Sequence, residues 1–116
     1  VRHEHEWRVW EDVKLPDGKI LIPGVVSHAT NVIEHPELVA DRIERFADIV
    51  GRENVIAGTD CGLGGRIHPQ LAWAKVGTLT AGAMTVTAGS PTPVGFSPLA
   101  MTLTATSGVW LIRKGV

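Results

Sequence analysis

The chain has a single cysteine, Cys61, among 116 residues. That excludes an intrachain disulfide and suits a reducing cytoplasm. No acidic residue lies beyond Asp60, and no charged residue of either sign lies between Val76 and Ile112. The formal net charge is −1 with no basic stripe, which removes the electrostatic case for nucleic acid. A sustained apolar run is also missing. The uncharged stretch from Val94 to Ile112 has the length of a membrane span, but the Thr residues of the tail and Pro91, Pro93 and Pro98 make it polar and broken, so no membrane partner is expected. No G-x-G-x-x-G opens a helix, so Gly58, Gly62, Gly64 and Gly65 do not form a dinucleotide fingerprint. No signal peptide is visible, and Val1 opens in the middle of a charged segment, which reads as the end of something larger.

What is present is a repeat of strand and helix. Lys19–Val26 is an apolar run leading into Ser27-His28-Ala29-Thr30-Asn31, and Val55-Ile56-Ala57 leads into Gly58-Thr59-Asp60-Cys61-Gly62. Between them, Pro36 suits a first helical position, Glu37 the positive end of a helix dipole, and Gly51 the residue after a last turn. Val39, Ile43, Phe46 and Val50 fall on one stripe of that helix. A second helix is predicted to open at Pro69, with Leu71, Ala72, Trp73 and Ala74. Strand, helix, strand, helix implies parallel strands, with the loops after both strands on one side of the sheet. His28 and Cys61 are therefore expected to face one pocket, on the side where parallel α/β folds bind ligands. Two such units are too few to close a barrel of about 250 residues.

Charge divides the chain at residues 75 and 76. The second helix is expected to fade near Val76, because a barrel helix needs a charged wet face. Residues 76–116 are read as a divergent, irregular tail, frameshifted or disordered. The alternatives are a β-rich extension, suggested by Thr85, Thr87, Thr102, Thr104 and Thr106, and the membrane span rejected above.

Three stretches carry a family resemblance: Arg2-His3-Glu4-His5-Glu6-Trp7, Pro23-Gly24-Val25-Val26-Ser27-His28-Ala29-Thr30-Asn31, and Ala57-Gly58-Thr59-Asp60-Cys61-Gly62-Leu63-Gly64-Gly65-Arg66. Together, residues 1–75 resemble the carboxyl-terminal catalytic barrel of the cobalamin-independent methionine synthase family, in the larger group that includes uroporphyrinogen decarboxylase. The resemblance implies an α/β fold, the C-terminal βαβα portion of a TIM (β/α)8 barrel, whose earlier strands lie outside this sequence. It further implies that Cys61 supplies a thiolate to Zn2+ and that His28 is the proton donor. The implied reaction moves a methyl group from a 5-methyltetrahydrofolate polyglutamate to homocysteine thiolate, giving methionine. Methionine synthases proper resemble Asp-Ile-His-Ser-Pro-Asn around the histidine, so the shorter stand-alone members, among them epoxyalkane:coenzyme M transferases, are a closer match to this loop.

The chemistry suits these residue types. Zinc takes cysteine sulfur and imidazole nitrogen in a tetrahedron and strips the proton from a bound thiol. A histidine can then return a proton to the nitrogen that loses the methyl. Ser27, Asp60 and Arg66 are the candidate substrate contacts. Asp60 is suited to orienting the loop or a substrate amine. Arg66 could clamp a carboxylate or polyglutamate chain, with plain solvation as its alternative. His3, His5 and Glu6 are rejected as zinc ligands, and His35 and His68, each before a proline, are read as helix caps or surface residues. The rival functions are zinc-assisted opening of an epoxide by coenzyme M thiolate and, in another class, an inactive barrel fragment or split subunit. Alone, the chain is expected to be inactive and to hold zinc poorly. Its expected partners are the missing part of the barrel and the two small substrates.

Overall fold

The computed structural model describes residues 4–88, 104–106 and 109–111. A 3-10 turn over Glu4–Arg8 runs into a short helix α1, Val9–Asp12, and from there the chain enters the first apolar run. Only Gly24–Val26 of that run is a regular strand, β1. It pairs in parallel with β2, Gly58–Thr59, and a bridge joins Leu21 to Val55 in the same sense. The hydrogen bonds step along both chains: Leu21 N–H to Asn54 O, Ile56 N–H to Leu21 O, Gly58 N–H to Pro23 O and Asp60 N–H to Val26 O, at 2.7 to 3.2 Å.

The segments predicted as strands, Ile20–Val26 and Val55–Ala57, are adjacent and parallel, but the first is regular only over Gly24–Val26 and the second only bridges at Val55, its regular strand falling just after it at Gly58–Thr59. Pro23 has no N–H to give, and the register shifts between Gly24 and Val26. Gly24 also sits against the partner strand so closely that a Cβ there would lie 2.5 Å from Asp60 Cα. A side chain at 24 would push Asp60 away.

Helix α2 spans Pro36–Val50, as the punctuation predicted. The His35 ring accepts a hydrogen bond from Glu37 N–H at 3.3 Å, an N-cap in which imidazole replaces the usual Ser or Asp. His68 accepts from Gln70 N–H at 3.3 Å in the same way before the next helix. Both histidines thus serve helix starts. Val39, Ala40, Ile43 and Ala47 form the buried face of α2.

Helix α3 spans Pro69–Ala88 and corrects the expectation that helical character ends near Val76. Lys75, Leu79, Ala83 and Val86 are buried, at i, i+4, i+8 and i+11, so a core-facing stripe continues into the uncharged segment. Threonines in the uncharged segment spend their hydroxyls on the helix backbone: Thr78 to Lys75 O, Thr80 to Val76 O and Thr85 to Ala81 O, at 2.8 to 3.1 Å. Gly82 permits close contact with α2, since a Cβ at that position would lie 2.7 Å from the Val39 side chain.

The core is Val25, Val26 and Ala57 from the strand segments, Val39, Ala40 and Ile43 from α2, and Leu79, Ala83 and Val86 from α3. Burying such aliphatic side chains stabilises by about 1.5–3 kcal/mol each for the larger ones. Residues 104–106 (β3) and 109–111 (β4) form a separate antiparallel ladder, Thr104 opposite Leu111, where the sequence was expected to be irregular. The rest of the tail expectation, for residues 89–103, 107, 108 and 112–116, lies outside the described residues. No helix among the described residues is long and apolar enough to cross a membrane.

Candidate functional site

The parallel pairing brings the residues after β1 and β2 to one end of the sheet. There His28 meets Asp60 twice. Asp60 Oδ1 accepts from the His28 backbone N–H at 2.7 Å and lies 2.8 Å from the ring Nδ1. An ionised carboxylate only accepts, so Nδ1 carries the hydrogen in this contact and Nε2 is the nitrogen left to exchange a proton. With both the backbone and the ring held by one carboxylate, the ring orientation is fixed. The side chains are 25% and 18% exposed, open enough to meet a ligand.

Burial pushes the Asp60 carboxyl up. Hydrogen bonds from the His28 ring and backbone N–H, together with the histidine's charge, outweigh this and hold the carboxyl below its ordinary value. Asp60 is thus a carboxylate throughout the neutral range. Sequence reasoning gave Asp60 to the loop or to a substrate amine. What it missed is that Asp60 is committed to His28, a relation across 32 residues that no spacing rule signals.

Cys61 follows Asp60 directly and is a free, exposed thiol. Its carbonyl accepts from Thr59 Oγ1 at 2.9 Å, which closes the turn at the strand end. Leu63, 5% exposed, anchors the loop in the core, and the Arg66 N–H bonds to the Leu63 carbonyl at 3.3 Å. Arg66 itself is exposed on this turn. Ser27 is buried: its N–H donates to Glu34 Oε1 at 2.8 Å and its hydroxyl accepts from Ala29 N–H at 3.1 Å, so both groups hold the loop that carries His28.

A cavity of about 410 Å³ runs beside β1. Its lining includes His28 and Asp60, the aromatic side chains of Trp7, Trp10 and Phe46, and Arg42. Cys61 does not line it. This corrects the expectation that His28 and Cys61 face one pocket: the cavity holds His28 with Asp60, while Cys61, the next residue, is exposed outside it. Arg42 donates to the Val25 carbonyl at 3.0 Å and pairs with Glu4 at 3.3 Å, tying the amino-terminal turn to α2 and β1.

As a metal donor, Cys61 has the right chemistry, a soft thiol free at a strand end. Among the described residues, no group of three or more His, Cys, Asp or Glu is placed to hold a metal ion. A tetrahedron that includes Cys61 is therefore not completed by the described residues.

No family model matches the chain, and no curated protein matches it. A solved structure does: the B12-independent methionine synthase from Shewanella sp. W3-18-1 in complex with selenomethionine, 28% identical, with a TM-score of 0.63. The match covers 71% of this chain and 23% of that one, so the chain spans about a quarter of the length of the enzyme it resembles.

Proposed function

We propose that this chain is the carboxyl-terminal βαβα end of a TIM barrel of the B12-independent methionine synthase type, and that it contributes to a zinc-dependent methyltransferase site. The observation that carries the reading is the pairing of His28 with Asp60, immediately beside the free Cys61, in a fold 28% identical to such an enzyme over 71% of the chain. Cys61 is one ligand of Zn2+, and the other ligands and the earlier barrel strands come from a partner or from sequence beyond this chain. When bound, the ion would keep a substrate thiol deprotonated near neutral pH.

His28 is the proton donor. As the methyl leaves the nitrogen of a methylated folate for the sulfur of homocysteine, an N–C bond breaks and an S–C bond forms. The Nε2–H of protonated His28 goes to that nitrogen and leaves a neutral imidazole whose Nδ1–H still points at Asp60. Asp60 therefore acts by holding the ring in one orientation. Arg66, exposed on the turn after Cys61, would take a substrate carboxylate such as the polyglutamate tail. The setting is cytoplasmic.

The test is a chimera in which residues 4–75 replace the matching region of a B12-independent methionine synthase. Retained zinc and methionine formation are expected. Cys61→Ser should release the zinc, and His28→Asn should slow methyl transfer with zinc still bound. Full zinc content in the Cys61→Ser chimera would remove Cys61 from the metal and sink the reading.

A further inference from the structure

Away from the strand-end site, the chain holds a second ionisable pair that is sealed from water. Lys75 on α3 is 0% exposed and Glu34 7%, with Nζ 2.8 Å from Oε2. Lys75 also donates to the Val32 carbonyl. The other Glu34 oxygen accepts the Ser27 N–H at 2.8 Å. Glu34 thus grips the start of the segment between β1 and α2 directly, and its later part through Lys75.

Stability alone does not account for such a pair. Taking two charges out of water costs several kcal/mol per ion, and well-packed apolar residues of similar volume commonly do as well or better. The bonds of an ion pair are directional, however, and here they tie the start and the later part of a loop whose one other long-range anchor among the described residues is the contact of His28 with Asp60. Val32 and Ile33 are 66% and 43% exposed, so the loop contributes little apolar burial of its own. Apart from the two contacts that His28 itself makes with Asp60, its remaining hydrogen bonds, Ser27 Oγ with Ala29 N–H and Thr30 Oγ1 with Val32 N–H, are local. His28 is the second residue of this loop.

We propose that Glu34 and Lys75 are positioning residues for His28: the buried pair fixes the loop over residues 27–34 so that the imidazole meets Asp60. The proposal deepens the proton-donor role assigned above and rests on it for its catalytic meaning. Its test reads the ring itself, so a failure of methyl transfer with the ring still fixed would strike that role and leave the positioning intact.

The experiment is nitrogen-15 NMR of the histidine rings, with amide hydrogen exchange, on the full chain at neutral pH. The wild type should show His28 with its proton on Nδ1. In the double variant Glu34→Met with Lys75→Met, both buried charges are gone and apolar volume is kept, so the α2 amides of Ile43 and Ala47 should stay protected. The fixed Nδ1–H signature of His28 should nevertheless be lost, and the Ser27 amide should exchange at least about tenfold faster. Glu34→Gln, whose amide oxygen can still accept from Ser27, should retain more of the signature than the double variant. The proposal is overturned if His28 keeps its Nδ1–H signature in the double variant. It is equally overturned if that signature disappears only together with the protection of α2, since the pair would then support the whole fold and not the loop.

Discussion

Two pairs of a carboxylate with a nitrogen donor stand at opposite ends of one loop, and they differ in almost everything else. His28 and Asp60, 25% and 18% exposed, sit where the strands end and a ligand can arrive. Glu34 and Lys75, 7% and 0% exposed, sit beneath the loop against α3. In the first pair water can reach the ring, so a proton can come and go. In the second every polar atom is spent: among the described residues, no buried side-chain nitrogen or oxygen is without a partner. The open pair is fit to react, and the sealed pair is fit to hold.

The largest effect should come from breaking the sealed pair on one side only. Lys75→Met leaves Glu34 buried without its counter-charge, and urea unfolding of the full chain should show a loss of about 3–5 kcal/mol. Adding Glu34→Met should restore most of it. If the single variant is as stable as the wild type, the pair is not sealed in solution.

Gly24→Ala should separate the two pairs. Its methyl would overlap Asp60, 2.5 Å from Cα, and displacing the partner strand should cost about 1–3 kcal/mol. The His28–Asp60 contact should be lost while Lys75 stays protected from solvent. An unchanged His28 ring signal in this variant would show that the strands can part without moving Asp60.

Acid should weaken both pairs in the same direction. Burial raises the Glu34 carboxyl, but hydrogen bonds from Lys75, Ser27 N–H and its own N–H, with the lysine charge, bring it below its ordinary value, and Asp60 is lowered as well. The folded chain then binds fewer protons than the unfolded chain as the pH falls through the carboxylate range. Stability from these groups is complete above the ordinary values near 4 and declines below them. Unfolding free energy followed from pH 6 to pH 2 should fall, and Glu34→Gln should flatten part of that slope.

Asp60→Asn should be the mildest for stability. The pair is partly exposed and screened by water, so a change within about 1 kcal/mol is expected, with the functional consequence confined to the freedom of the His28 ring. A loss several times larger would mean that the open pair carries structure after all.

How much of this was legible in the sequence follows from the range over which each signal acts. Helix α2 was readable to its ends, because Pro36, Glu37, the apolar stripe and Gly51 are local marks. The parallel strands were readable as neighbours, but a pocket shared by His28 and Cys61 was not found, because Asp60 and not Cys61 lines the cavity beside His28. Strand lengths were not readable, because Pro23 breaks the ladder and the pairing partner decides the rest. Helix α3 was underestimated, since the absence of charge was weighed above the stripe of Leu79, Ala83 and Val86. Glu34 and Lys75 were missed entirely: they lie 41 residues apart, and isolated charges in a sequence read as solvated surface. The bond between His28 and Asp60 was hidden for the same reason, although both residues had been singled out.

The near-absence of space at Gly82 has a consequence for how this chain could change over time. Lys75 must reach Glu34 while Gly82, about two turns further along α3, must face Val39. These two points together set both the rotation and the translation of α3 against α2. One residue inserted or deleted between them would turn one point by about 100° relative to the other, so either the lysine would lose its partner or a side chain would be driven into α2. The stretch from Lys75 to Gly82 should therefore tolerate substitutions on its outer face but not changes in length, even though nothing in its composition marks it as constrained.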